Sequence, residues 1–284
     1  MEKAALRWPA PAKLNLMLRI TGRRTDGYHE LQTVFQFLDF EDELRFALHS
    51  DRVVERTTPL NDVPTEQDLT LRAAKLLQSQ SGTSRGVSID ITKRIPMGGG
   101  LGGGSSDAAT TLVALNYLWE TGLSTEELAR LGLQLGADVP VFVNGVAAWA
   151  EGVGECLEPI DLPEPWYLVI TPDCVVPTAA VFGDPQLTRD SVPIKIADFL
   201  SEGGSNDCLS VVCKRFPAVA SALDWLSQYG EARLTGTGSS IFAAFDRREE
   251  AESALLEIPD RWFRVVARGV NRSPLLDHLE RQLD

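Results

Sequence analysis

The sequence predicts an α+β fold in two domains, and three observations carry that reading. Segments that alternate apolar and polar residues are interspersed with segments of helical spacing, without the regular strand–helix repeat of a parallel α/β sheet. Prolines at Pro159, Pro163 and Pro165, shortly after Gly152, break the chain near its middle and set expected domains at residues 1–152 and 153–284. A chain of 284 residues that is 44% hydrophobic buries a substantial core, enough for one large or two modest domains.

The first expected strand spans Ala12 to Ile20. Its leucines point to one face while Lys13 and Asn15 share the other, as the two-residue period requires. Two adjacent polar groups beside a core suggest the lining of a cleft. Turn formers in Gly22-Arg-Arg-Thr-Asp-Gly-Tyr-His29 then break the chain before Val34, Phe35 and Phe37 resume a strand pattern. Tyr28 could stack on a base and His29 hydrogen-bond to one; alternatively Tyr28 packs under the turn and His29 is an exposed polar residue.

Val87, Ile89 and Ile91 alternate with polar residues as in a half-buried strand. The run from Pro96 to Ser106 follows: Pro96, Met97, Gly98, Gly99, Gly100, Leu101, Gly102, Gly103, Gly104, Ser105 and Ser106. Glycine loses the most backbone freedom on ordering, so such a run needs a gain outside packing. Anion binding supplies one, because residues without Cβ let successive N–H groups converge on a phosphate while a following helix adds its unpaired N–H groups and positive dipole end. The helix is expected to open near Ser105 or Ser106, with Ser105, Ser106 and Asp107 as candidate caps. Ala108, Ala109, Leu112, Leu115, Leu118 and Trp119 form its buried face, and Gly122 its stop.

Ser124-Thr-Glu-Glu127 is a capping box that opens a further helix, expected to end at Gly136. Asp138 then sits in the turn before the apolar run Val141-Phe-Val143, either as a turn or helix cap or as a partner for Lys13. Beyond the proline cluster come a strand at Trp166–Ile170, helical stretches through 206–229 and a strand at Ala232–Thr235. The break Gly236-Thr-Gly238 leads to a strand at Ile241–Phe245, a helix over Glu249–Glu257 and a last strand at Arg264–Arg268. Gly236, Gly238, Ser239 and Ser240 fit either a second oxyanion-contacting loop or a tight hairpin turn.

Local motifs alone leave the ligand open. Gly98-x-Gly100-x-x-Gly103 formally matches the dinucleotide fingerprint of an oxidoreductase, with Glu120 as a ribose-binding acid, although many registers of so glycine-rich a run fit by chance. No Gly-Lys-Ser/Thr follows, which excludes a Walker A loop. A formal charge of −13 argues against a broad nucleic-acid or anionic-membrane surface. Cys156, Cys174, Cys208 and Cys213 lack metal-ligand spacing, and no apolar leader or membrane-length run is present, so reduced thiols in a cytoplasmic protein are expected.

Taken together, Pro11-Ala-Lys13-x-Asn15, Gly27-Tyr-His29, the run Pro96 to Asp107, Leu135-Gly-Ala-Asp-Val-Pro140 and Leu234-Thr-Gly-Thr-Gly238 resemble the GHMP family of small-molecule kinases. The likeness covers nearly the whole chain. Compared with the usual family loop, Gly103-Gly104 lengthens the stretch between Leu101 and the two serines.

The resemblance implies the two-domain GHMP kinase α+β fold, with the active site in the interdomain cleft and ATP held by the glycine run of the first domain. Mg2+ is expected to arrive with ATP rather than in a protein cage. The implied catalytic residues are Lys13 and Asp138. Asn15, Tyr28 and His29, with Pro177, Thr178 and Phe182 closing from the second domain, are implied at the cytidyl-diphosphate end of a small-molecule acceptor. A monomer or weak homodimer is expected. Homoserine, mevalonate and galactose kinases share the family, and a non-catalytic nucleotide sensor would keep the loop without needing Lys13 and Asp138.

Overall fold

The computed structural model describes residues 7–57, 59–60 and 63–283. Strands β1 (Arg7–Arg23) and β2 (His29–His49) form a long antiparallel hairpin from which the rest is built. Then follow β3 (Val54–Arg56), α1 (Leu69–Ser81), β4 (Gly86–Thr92), α2 (Gly103–Leu118), α3 (Thr125–Leu133), α4 (Val139–Asn144), β5 (Ala148–Glu151) and β6 (Cys156–Pro159). The remainder is β7 (Trp166–Thr171), α5 (Thr178–Phe182), α6 (Ile196–Glu202), α7 (Leu209–Arg215), α8 (Pro217–Leu226), β8 (Arg233–Leu234), β9 (Ile241–Phe245), α9 (Arg248–Leu255), β10 (Phe263–Val270) and α10 (Pro274–Leu283).

Among the described residues these strands make one mixed sheet in the order β3-β4-β2-β10-β7-β9-β8, with β1 and β5 also on β2 and β6 on β5. Among the described residues only β3 and β4 pair as parallel strands. Gly269 and Val270 of β10 pair with Leu38 and Phe37 of β2, which joins the early and late strands into a continuous surface.

Packing explains the arrangement. Helices α1 to α4 cover the early strands over Trp8, Phe35, Phe37, Leu77, Ile89, Leu112 and Phe142. Leu275 and Leu279 of α10 return to this same core, and Tyr117 donates to the carbonyl of Gln282 at 2.9 Å. A second core gathers Ile20, Leu168, Ile170, Val212, Leu226 and Ile241. Between them Leu14, Leu38, Ile95, Leu101, Val169 and Phe242 form a third. Leu101, 1% exposed, anchors the glycine run there; burying it is worth about 2 kcal/mol, which offsets part of the ordering cost of the glycines around it.

Three expected boundaries move. Helix α2 opens at Gly103, not near Ser105 or Ser106, and neither those serines nor Asp107 caps it: the N-cap is Gly102, with no side-chain cap. The reason is tertiary, since a Cβ on Gly103 would lie 3.0 Å from Ile95 Cγ2, so the helix packs too closely there to begin with a larger residue. At its far end α2 stops at Leu118, before Gly122, in bonds from Glu120 and Thr121 back to the carbonyls of Tyr117 and Asn116. Helix α3 keeps its capping box, Ser124 with Glu127, but ends at Leu133 and tapers through a turn in which Gly136 donates to the carbonyl of Gly132.

Candidate active site

β1 is irregular where its chemistry lies. Register shifts between Pro11 and Lys13 and between Asn15 and Met17 bracket the two polar residues, and such bulges re-aim side chains. Lys13 is 3% exposed and Asn15 4%. The Lys13 ammonium donates to Asn15 Oδ1 and, at 3.2 Å, to the carbonyl of Gly100. It also lies 3.2 Å from Asp138 Oδ2 and 5.4 Å from the centroid of the Phe35 ring. Asn15 is fixed in turn, its Nδ2 donating to Thr33 Oγ1 at 2.8 Å and its backbone N–H to Thr235 Oγ1 at 2.9 Å.

Asp138 stands at the N-terminus of α4 but makes no side-chain cap bond. Its carboxylate therefore faces Lys13 rather than completing the helix.

The glycine run is held through its carbonyls. Gly99 O accepts from Ser240 N at 3.0 Å, Gly100 O from Lys13 Nζ and from Thr235 Oγ1 at 3.4 Å, Leu101 O from Lys13 N at 3.0 Å, and Gly102 O from Ser106 N at 2.8 Å. Met97 and Gly98 form a hydrogen-bonded turn at the head of the run, and among the described residues the N–H groups of Gly98 and of Gly100 to Gly104 find no protein acceptor. Donors left free and acceptors turned inward are what a polyphosphate requires.

At two positions glycine is required. Gly100 has φ +79, and a Cβ there would lie 2.5 Å from the carbonyl of Thr235. Gly102 has φ +75, and its Cβ would lie 2.7 Å from Phe142 Cζ and 3.1 Å from Lys13 Cε. The run is thus clamped between the break that follows β8 and the catalytic candidates.

One cleft of about 930 Å³ collects most of the expected residues: Lys13, Asn15, Tyr28, His29, Pro96 to Gly100, Gly102 to Ser105, Asp138, Thr178 and Phe182. Leu101, Ser106 and Pro177 are not on its wall. Leu101 and Ser106 are buried, the latter with its hydroxyl unpaired inside the protein, and Pro177 is exposed at the head of α5. Tyr28 is 63% exposed at the turn between β1 and β2, so it does not pack beneath that turn. The His29 ring is buried and stacks on Phe182, centroids 4.9 Å apart and planes at 28°. Burial, then the nearby Arg189 and Arg23 cations, hold its imidazole below the usual histidine range.

The chain matches the GHMP kinases N terminal domain over residues 68–146 and the GHMP kinases C terminal over 195–264. It is 60% identical to 4-diphosphocytidyl-2-C-methyl-D-erythritol kinase of Nitrosococcus oceani, covering 97% of this chain and 99% of that one. The chain belongs to this GHMP kinase family. A relative of the same name from Shewanella loihica is 54% identical over 94% of this chain and 95% of its own. A crystal structure of 4-(cytidine 5'-diphospho)-2C-methyl-D-erythritol kinase superposes with a TM-score of 0.78 at 33% identity, covering 93% of this chain and 100% of that one. Methanococcus jannaschii mevalonate kinase, at 16% identity and a TM-score of 0.69 over 95% of this chain and 100% of its own, shares the fold.

As a GHMP kinase the protein is a small-molecule kinase that uses ATP. Among the described residues no helix is long and apolar enough to cross a membrane, and the four cysteines are free thiols.

The kinase also carries a cluster that sequence reasoning missed. Lys93, just before the glycine run, bridges Asp42 of β2 and Asp107 of α2, the latter at 2.7 Å. Asp42 Oδ1 accepts from the backbone N–H groups of Arg94 and Ile95 at 2.5 and 2.8 Å. The ion pairs thereby fix where the run begins. Burial pushes the Asp107 carboxyl up to about 7, with Lys93 opposing the rise and Asp42 adding to it. Burial alone would lower Lys93, but the two carboxylates outweigh it and hold the ammonium above its usual range. No sequence spacing signals this cluster, because its members come from three separate elements.

Proposed function

We propose that this kinase transfers the γ-phosphoryl group of ATP to the 2-hydroxyl of 4-diphosphocytidyl-2-C-methyl-D-erythritol, giving the 2-phosphate and ADP, in the non-mevalonate isoprenoid precursor pathway. The supporting observation is that one cleft holds the Lys13–Asp138 pair together with the glycine run and the Tyr28, His29 and Phe182 rings. Relatives that carry this substrate's name cover nearly the full chain.

In this reading the N–H groups left free in the glycine run and the start of α2 bind the ATP phosphates. Asp138 orients the acceptor hydroxyl and takes its proton as the new P–O bond forms and the bond to the ADP oxygen breaks. Lys13, buried and held by Asn15 and the Gly100 carbonyl, stabilises the charge that develops on the attacking oxygen and the moving phosphoryl group.

Mg2+, when bound, neutralises charge across the phosphates. Of Ser105 and Ser106, the Ser105 hydroxyl is the one on the cleft wall and is the side chain that would help hold the ion.

In the same reading Tyr28 and Phe182 stack on the cytosine and His29 bonds its edge, with Asn15 and Thr178 completing the acceptor end; Pro177, off the cleft wall, is left out of it. We further propose that residues 1–152 act as the ATP-binding domain and 153–284 as the substrate-side domain of a cytoplasmic monomer or weak homodimer. An acceptor panel tests the reaction: kcat/KM for 4-diphosphocytidyl-2-C-methyl-D-erythritol should far exceed that for the same compound lacking the cytidyl group, and comparable values for mevalonate or homoserine overturn the assignment.

A further inference from the structure

Arg189, in the segment between α5 and α6, belongs to no motif in the sequence, yet it reaches the ring placed at the acceptor end. Its Nη2 donates to the carbonyls of Phe182 at 2.8 Å and Asp184 at 2.7 Å, and its Nη1 to that of Leu187 at 3.0 Å. A further donor, Nε, points to His29 Nε2 at 3.1 Å. A guanidinium has five N–H donors, no acceptor, and stays charged at any pH a protein survives. Pinned by three carbonyls, it cannot turn away.

His29 Nε2 must therefore accept, so the single imidazole proton sits on Nδ1. A doubly protonated ring would set N–H against N–H beside a fixed cation. Among the described residues Nδ1 has no protein hydrogen-bond partner, and His29 lines the cleft. The same arginine fixes the carbonyl of Phe182, whose ring stacks on His29.

We infer that Arg189 is a positioning residue for base selection, locking His29 as a neutral imidazole whose one N–H, on Nδ1, favours a pyrimidine with an acceptor at N3 over one with a hydrogen there. Cytosine offers a lone pair at N3, whereas uracil carries N3–H and would meet donor with donor. This rests on the proposed reading that His29 meets the base of the acceptor. The arginine touches no substrate in this account; it acts through the tautomer of His29 and the seat of Phe182.

Imidazole 15N spectroscopy reads the tautomer directly, and the chain has only three histidines to assign. In the parent, His29 should show protonated Nδ1 and bare Nε2. Arg189→Gln places an amide oxygen that can accept from Nε2, so the tautomer should shift. The ratio of kcat/KM for 4-diphosphocytidyl-2-C-methyl-D-erythritol over its uridyl analogue should then fall about tenfold, the scale of one mispaired hydrogen bond, with kcat for the cytidyl compound retained. Arg189→Lys keeps a donor-only cation and should keep the Nδ1–H tautomer, which provides a readout even where Arg189→Gln fails to fold. A folded Arg189→Gln with the parental tautomer or the parental ratio, or an Arg189→Lys that loses the tautomer, overturns the inference. His29→Ala separates the two levels. A parental kcat/KM for the cytidyl compound in that variant overturns the base-contacting reading itself, whereas a His29→Ala defect beside a silent Arg189→Gln overturns only the role of Arg189.

Discussion

Lys13 Nζ lies 3.2 Å from Asp138 Oδ2, joining an irregular point of β1 to the residue that precedes α4. The same ammonium donates to the Gly100 carbonyl, so the pair is tied to the glycine run as well as to itself. Catalytic candidates and phosphate loop are therefore joined by direct contacts.

That coupling makes the loop sensitive to any side chain. Gly102→Val adds a β-branched residue at φ +75, with its Cβ 2.7 Å from Phe142 and 3.1 Å from Lys13 Cε. The left-handed conformation alone costs about 1–2 kcal/mol. ATP affinity should fall at least about tenfold. Titration calorimetry on the variant, with folding checked by circular dichroism, should show the loss; a folded variant that binds ATP like the parent would show that the run is not the phosphate site.

Lys93→Met should destabilise rather than inactivate selectively. It strips the shared cation from Asp42, which is fully buried, and from Asp107, which is 3% exposed. Removing one partner of a buried ion pair typically costs about 3–5 kcal/mol. Denaturant unfolding should register a loss of that order, and the added change Asp107→Asn should recover part of it by removing one uncompensated carboxylate. Unchanged stability in Lys93→Met would contradict the role given to this cluster.

The depressed His29 titration sets a direction for pH. The native ring resists protonation while the unfolded ring takes a proton near its ordinary value, about 6.5, so the unfolded state binds more protons as the solution is acidified. Stability contributed by neutral His29 is present above that value and is lost as pH falls through it. The charged groups facing the ring are Arg189 and Arg23, both cationic throughout this range. Melting curves and acceptor KM taken from about pH 8 to pH 5 should worsen together on the acid side, with His29→Gln flatter in both. A parent whose acid-side losses match those of His29→Gln would remove this residue as their source.

Much of this was legible in the sequence where the signal is local. The alternation of Val87, Ile89 and Ile91 is β4, the Ser124 capping box opens α3, and the strand expected at Ile241–Phe245 is β9. Lys13 and Asn15 do share a face, close enough to hydrogen-bond. What escaped depends on partners distant in the chain. Asp42 lies within the acidic stretch of β2, and its carboxylate is taken up by the backbone N–H groups of Arg94 and Ile95, some fifty residues on. Arg189 shows no pattern at all, since its work is done through carbonyls. Helix α1 is capped by Asp68 and ends at Gly82, but its buried face includes Thr70 and Gln78, which blurs its apolar period in the sequence.

The most direct test is single-turnover phosphoryl transfer at saturating ATP-Mg and 4-diphosphocytidyl-2-C-methyl-D-erythritol. Asp138→Asn keeps the shape of the side chain and removes its charge, and Lys13→Met removes the buried ammonium. If the pair acts in the transition state, each variant should slow the chemical step by roughly 100–1000-fold while leaving both substrates' KM values within a few-fold of the parent. Asn15→Ala should show more of its defect in acceptor KM, with a smaller loss in rate from a Lys13 no longer held at Oδ1. A near-parental chemical rate in folded Asp138→Asn would contradict the account, leaving that carboxylate as a binding residue only.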